Sequence, residues 1–263
     1  MYSVEFDRPA TLEAALAGLK AEDAQALSGG QTLIPTLKQR LAQPSKLVSL
    51  TAIPSLQGIC VADDGMLCIG ATTTHATVAA EAGAHYPALA RLAAQIGDPA
   101  VRNRGTIGGS LANNDPSACY PAAVLASGAL IRTNARDIAA DDYFEGMFAT
   151  ALQEGEIITE IRFPIPEAAA YMKFAQPASR FALVGVFVAK TAGGVRVAVT
   201  GASEEGVFRW GAAEEALSAD FSAGAIAGLS LPADDMIDDL HGTPDYRAHL
   251  VKVMTGRAVS AAQ

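Results

Sequence analysis

Two short segments concentrate residues that could grip an anion: "SGGQT" at 28–32 and "TIGGS" at 106–110. Each has two adjacent glycines with a hydroxyl residue just behind them, Thr32 in the first and Ser110 in the second. Glycine tolerates positive φ and lets another group approach the peptide closely. A strand–glycine turn–helix corner also aims backbone N–H groups at an anion. One such pair on its own reads as an ordinary turn. Two pairs, far apart in the chain, match the two phosphoryl groups of a diphosphate, each supplied with N–H donors and a hydroxyl. With a net charge of −9, the chain would hold a dianion through such local amide dipoles rather than through its overall field.

Other chemistries lack their residues. Neither pair extends to G-x-G-x-x-G, there is no G-x-x-x-x-G-K-[ST], and neither H-E-x-x-H nor G-x-S-x-G occurs. No acid–base pair, nucleophile or metal-ligand set stands out, so no catalytic or metal residue is nominated. The four histidines are scattered. His75, in "TTTHATV", reads as part of a capped helix start, and His85, His241 and His249 as surface or packing residues. Ser203, Glu204 and Glu205 read as a solvated loop. Cys60, Cys68 and Cys119 form no C-x-x-C and no even disulfide framework. They fit a reducing cytoplasm and cannot ligate an iron–sulfur cluster unaided.

The elements that must position the glycine pairs alternate. "YSVEF" reads as a strand, and Thr11 caps a helix over "LEAALAGLKAE" with Leu12, Ala15, Leu16 and Leu19 on one face. "AQALS" is a second strand, entering the first glycine pair and a helix around "LIPTLKQR"; "KLVSL" completes a β-α-β layout by residue 50. "LQGICVADDGMLCIGATTT" is a hairpin turning at Asp64-Gly65. "PALARLAAQI" places Leu89, Leu92, Ala93 and Ile96 on one helical face. Strands are expected at "GALIRT" and "IITEIRFP", then a proline-bearing boundary at 164–170. Beyond it, "FALVGVFVAKT" and "GVRVAVTGAS" are neighbouring strands, and a last helix opens at Thr243-Pro244.

Composition narrows the function classes. The 263 residues are 50% hydrophobic and 18% charged, enough for a real core and unlike a disordered chain. The negative charge and the lack of a Lys/Arg cluster argue against nucleic acid or an anionic membrane as partner. No apolar run reaches the length of a membrane span, and the first residues carry no basic and apolar regions of a signal peptide.

The segments "LSGGQTLIP", "GATTTHATV", "IGDPAVRNRGTIGGSLANNDPSACYPAAVLASGA", "KFAQPASRFALVGV" and "HGTPDYRAHLVKVMTGRAV" together resemble the FAD-binding medium subunit of molybdenum hydroxylases, of the carbon monoxide dehydrogenase and xanthine dehydrogenase type. The resemblance spans almost the whole chain, in order. It implies an α+β protein: a two-subdomain FAD-binding domain of the vanillyl-alcohol-oxidase (PCMH) type, residues 1–55 and 56–168, then a small α+β domain with an antiparallel sheet and helices, 169–263. It implies that Ser28, Gly29, Gly30, Gln31, Thr32 and Leu33 form one FAD loop, and Thr106, Ile107, Gly108, Gly109 and Ser110 the other. Ile96 and Ile158 align with cofactor contacts, and Lys173 with a lysine near the flavin; a solvated strand lysine is the alternative. Where the family often has an acid after the second loop, this chain has Cys119. A thiol lacks a carboxylate's two strong acceptors, so that contact weakens or passes to Asp115 or Asn114.

The implied function is electron transfer through FAD from [2Fe–2S] clusters on a small partner subunit to an external acceptor. The molybdopterin lies on a large subunit, and the assembly is a dimer of heterotrimers in the cytoplasm. Two other readings stand beside it. A stand-alone FAD oxidoreductase would turn over substrate as an isolated chain, and an assembly module would bind no flavin.

Overall fold

The computed structural model describes residues 1–262. The first fifty residues form a parallel three-stranded sheet. β1 (Glu5–Asp7), α1 (Leu12–Gly18), β2 (Ala24–Leu27), α2 (Leu33–Lys38) and β3 (Lys46–Ser49) follow in order, with β3 in the centre. Thr11 starts α1 by accepting from the Ala14 N–H at 3.2 Å. The helix ends earlier than its apolar spacing predicts, because the chain must turn back through Asp23, at φ 54°, into β2. Ala15 of α1 packs on Val48 and Leu50, with Ile53, Leu56 and the distant Ile157 closing this small core.

The middle of the chain builds an antiparallel sheet with helices on one side. β4 (Ile59–Val61) and β5 (Leu67–Gly70) form the expected hairpin. Five helices follow: α3 (His75–Glu81), α4 (Pro87–Ala94), α5 (Pro99–Arg102), α6 (Ile107–Asn113) and α7 (Tyr120–Ser127). Then come β6 (Leu130–Thr133), β7 (Asp137–Ala139), a two-stranded ribbon of β8 (Phe144–Gly146) and β9 (Ala149–Thr150), and β10 (Ile158–Phe163). β10 inserts between β5 and β6, giving the order β4-β5-β10-β6-β7. Ile161 there lies directly between Ile69 and Ile131.

The last third is a meander. β11 (Ala168–Ala175), β12 (Ala182–Thr191), β13 (Gly194–Ser203) and β14 (Gly206–Arg209) pair in sequence order, followed by α8 (Gly211–Ala219) and α9 (Pro244–Ala261). α7 packs on one face of this sheet and α9 on the other. With both faces covered, β12 is a continuous apolar run instead of an alternating one. Every residue of α7 is buried, as a helix apolar all round requires. Tyr171, Phe187 and Ala198 share one core with Tyr86, Tyr120 and Phe163, so packing continues across the 164–170 segment. Arg247 is 2% exposed on α9; one arm donates to the carbonyls of Leu183 and Gly201, and the other pairs with Asp239 at 2.7 Å. Ser203 is buried at the end of β13, while Glu204 and Glu205 form the exposed turn beyond it.

Candidate cofactor site

The first glycine pair sits where β2 leaves its sheet. Leu50 N–H still bonds the Leu27 carbonyl at 2.8 Å, after which Ser28, Gly29 and Gly30 turn the chain into α2. Gly30 takes φ 71°, a region that favours glycine. Among the described residues none accepts a hydrogen bond from the N–H groups of Gly29, Gly30, Gln31 or Thr32. Four successive unpaired donors are an anion nest waiting for its occupant. Thr32 is the N-cap of α2, yet its hydroxyl caps nothing, leaving that group free as well.

The second pair is built differently. Thr106 caps α6, its hydroxyl accepting from Gly109 N–H at 3.2 Å, and Gly108-Gly109 lie inside that helix's first turn. The N–H groups of Ile107, Gly108 and Ser110 bond the carbonyls of Thr73, Ala71 and Thr106. These donors are spent inside the protein, so the two pairs are not the equivalent phosphate cradles that their spacing suggests. Gly108 exists for contact: a Cβ there would lie 2.6 Å from that of Ala71. The loops also meet. A Cβ on Gly29 would come within 2.7 Å of Gly105 Cα and closer still to the Arg104 carbonyl oxygen, and the Ser28 and Thr106 hydroxyls bond at 2.8 Å.

Between and below the loops opens a cleft of about 500 Å³. The structure brings Ser28, Gly29, Gly30, Gln31, Thr32 and Leu33 together with Thr106, Gly108, Gly109 and Ser110 in its walls, and Ile158 of β10 joins them. It does not bring Ile96, Ile107, Asn114, Cys119 or Lys173 there. Ile107 is fully buried in the core below α6. Asn114 ends α6 in a left-handed conformation, and its amide donates to the carbonyls of Gly146 and Ala149 at 2.7 and 2.8 Å. Ile96, Cys119 and Lys173 form a separate group at the end of α4. There the Lys173 ammonium donates to the Gln95 carbonyl at 3.0 Å and contacts the Cys119 sulfur at 3.4 Å. Lys173 is therefore tethered and not simply solvated. Of the two residues considered in place of Cys119, Asp115 is the one that reaches the cleft.

The walls also contain residues whose type gave no signal: Leu50, His75, Val101, Glu156 and Phe181. Proximity to "GATTT" and to the second glycine pair was the only sequence cue to His75. Its pKa falls from 6.5 to about 4, through burial and secondarily through Arg102, so the ring is neutral at pH 7. Burial pushes the Glu156 carboxyl up, but Arg136, the Gln153 N–H and Thr133 outweigh it, and Glu156 is held ionised below the usual range. That charge is matched at the cleft edge and does not repel an anion on the far side.

The arrangement suits FAD. The unpaired amides of residues 29–32 and the hydroxyls of Thr32 and Ser110 offer donors to a pyrophosphate, while Leu27, Leu50, Leu152, Ile157 and Ile158 offer apolar walls to planar rings. The volume is that of a small-molecule site. Comparison with known proteins agrees. Residues 2–166 match the family described as the FAD binding domain in molybdopterin dehydrogenase. The chain is 32% identical to the carbon monoxide dehydrogenase medium chain of Afipia carboxidovorans, covering 99% of this chain and 97% of that one. It is also 32% identical to the nicotine 6-hydroxylase medium subunit of Paenarthrobacter nicotinovorans, covering 98% and 96%. Among solved structures, quinoline 2-oxidoreductase from Pseudomonas putida 86 superposes with a TM-score of 0.88 at 30% identity, over 99% of this chain and 97% of that chain. A Cu,Mo-containing carbon monoxide dehydrogenase superposes with a TM-score of 0.86 at 30% identity, over 99% and 98%. A contact-built diphosphate nest, a cleft of the right volume and similarity over its full length place this chain in the family of FAD-binding domains of molybdopterin dehydrogenases.

Proposed function

We propose that this protein is the FAD-binding electron-transfer subunit of a molybdenum hydroxylase complex. The observation that carries the proposal is the run of unpaired amides at residues 29–32, facing a cleft in a chain similar end to end to medium subunits of such enzymes. When bound, FAD supplies the ability to take electrons singly and to give them up in pairs. The chain's own residues do the holding. The first loop's N–H groups and the Thr32 hydroxyl bind the pyrophosphate, and the Ser28–Thr106 bond fixes the distance between the loops. The walls at Leu50, Ile157 and Ile158 exclude water from the rings. Among the described residues no group of His, Cys, Asp and Glu could hold a metal ion, and all three cysteines are free. The [2Fe–2S] clusters and the molybdopterin therefore belong, in this reading, to a small and a large partner subunit, in a dimer of heterotrimers in the cytoplasm. No helix among the described residues is long and apolar enough to cross a membrane. The boundaries 1–55, 56–168 and 169–263 are part of the same reading.

The test is anaerobic stopped-flow absorbance of the flavin. The isolated flavoprotein should be reduced slowly by the complex's substrate, and rapidly once the iron–sulfur and molybdopterin subunits are added. Rapid reduction of the isolated chain would make it a stand-alone enzyme, and a purified chain that takes up no FAD would make it an assembly module.

A further inference from the structure

His75 begins α3 behind the capping Thr74, and a helix start accounts for its position but not for its ring. The residue is only 5% exposed, and Nδ1 is buried with no hydrogen-bond partner. Leaving a buried polar atom unpaired is costly. A leucine would fill the same space against Tyr120, whose ring lies 5.3 Å away, without that cost. The ring is also firmly placed. The His75 N–H bonds the Gly105 carbonyl at 2.9 Å, and a Cβ on Gly105 would fall 2.6 Å from Nε2. His75 thus forms part of the cleft wall at the foot of the second glycine loop.

The second loop is where a donor is missing. Its amides are committed to Ala71, Thr73 and Thr106, so on that side a phosphate finds the Ser110 hydroxyl and little else from the backbone. An unpaired ring nitrogen is tolerated more readily as an acceptor than as an N–H. That places the proton on Nε2, on the Gly105 side of the ring. Arg102 of α5 is the charged group acting on this ring, and Tyr120 of α7 is the titratable side chain packed against it.

We propose that His75 is a cofactor-contact residue whose Nε2–H donates to a pyrophosphate oxygen of FAD beside the second glycine loop. This rests on the reading of the cleft as an FAD site. It assigns to a side chain the role that the amides of Gly108 and Gly109 cannot fill. It also gives the unpaired ring a reason to persist: the site is arranged for the bound state and is strained in its absence.

The test compares His75→Leu and His75→Gln with the wild-type chain, each stripped of flavin and titrated with FAD by fluorescence quenching. A hydrogen bond to a charged acceptor predicts a dissociation constant about ten- to a hundredfold higher for His75→Leu. His75→Gln, whose amide can reach the same point, should return to within about threefold of wild type. ³¹P spectra of bound FAD should show the pyrophosphate resonances displaced in His75→Gln. Wild-type affinity in His75→Leu, or unmoved pyrophosphate resonances in His75→Gln, overturns the inference. If His75→Leu does not fold, the affinity and spectrum of His75→Gln decide. A wild-type chain that binds no FAD is a different result, and refutes the reading of the cleft itself.

Discussion

The contact between the glycine loops can be tested by adding one carbon. In Gly29→Ala the new Cβ would stand 2.7 Å from Gly105 Cα, whereas carbon atoms rest about 3.5–4.0 Å apart. The loops must therefore part by about 1 Å. The neighbouring Ser28–Thr106 bond, now 2.8 Å, stretches beyond hydrogen-bond range. Overpacking of this kind costs about 1–3 kcal/mol, and the lost bond about 1 kcal/mol more. A chain of this size loses about 2–4 °C per kcal/mol, so the apoprotein should melt roughly 5–15 °C lower in scanning calorimetry. FAD affinity should fall by at least about tenfold, because the amides of residues 29–32 turn away from the second loop. Gly109→Ala is the control: its Cβ would meet the Thr106 hydroxyl at 2.9 Å and Ser28 Cβ at 3.7 Å. A rotatable hydroxyl can yield, so its melting temperature should fall less. If Gly29→Ala melts and binds FAD as the wild type does, the loops are not in the contact described.

Three further outcomes are expected. The His75 pKa of about 4 lies below the unfolded 6.5. The unfolded chain therefore binds the proton first, and apoprotein stability is whole above pH 6.5 and lost as the pH falls toward 4. The loss is about 2.5 units at about 1.36 kcal/mol each, or about 3 kcal/mol. Urea unfolding midpoints of His75→Leu should be flatter across that window, and an identical slope would show that another group carries it. Arg247→Met leaves the carbonyls of Leu183 and Gly201 and the Asp239 carboxylate without their cation; urea unfolding should show a loss of about 3–5 kcal/mol. Lys173→Met should keep FAD while lowering the flavin reduction potential in spectroelectrochemistry, if the tethered ammonium faces the flavin; an unchanged potential leaves Lys173 as the link between β11 and Gln95.

Much of this was legible in the sequence because it is local. Thr11 and Thr243 cap the helices they precede, Asp64-Gly65 turns the hairpin, and the first glycine pair is the strand-to-helix corner its surroundings predict. The second pair was harder. Adjacent glycines disfavour a helix by about 1 kcal/mol each, yet α6 runs straight through them, because Gly108 must lie against Ala71 and only glycine fits. Ile96 matched the helical face of α4 by spacing, but the helix stops at Ala94. Asn114 aligned with the cofactor loop, while its amide is occupied by the β8–β9 ribbon, a partner that no local pattern reveals. His75 was hidden for the same reason: its neighbours Gly105 and Tyr120 arrive from other helices.

The position of β10 sets an order of events during synthesis. β5 and β6 flank it in the sheet, yet all of α3 through β9 must be made before it appears. Until then both strands present open edges toward each other across a gap that only β10 fits. The cleft also lacks Glu156, Ile157 and Ile158 over the same interval. The ribosome thus releases the parallel β1–β3 unit early, with its row of amides already turned outward, while the pocket that retains a dinucleotide closes only when residue 163 has cleared the exit tunnel. A cell short of flavin would still complete the sheet, so cofactor supply governs how well the finished chain is loaded and not whether its strands find their places.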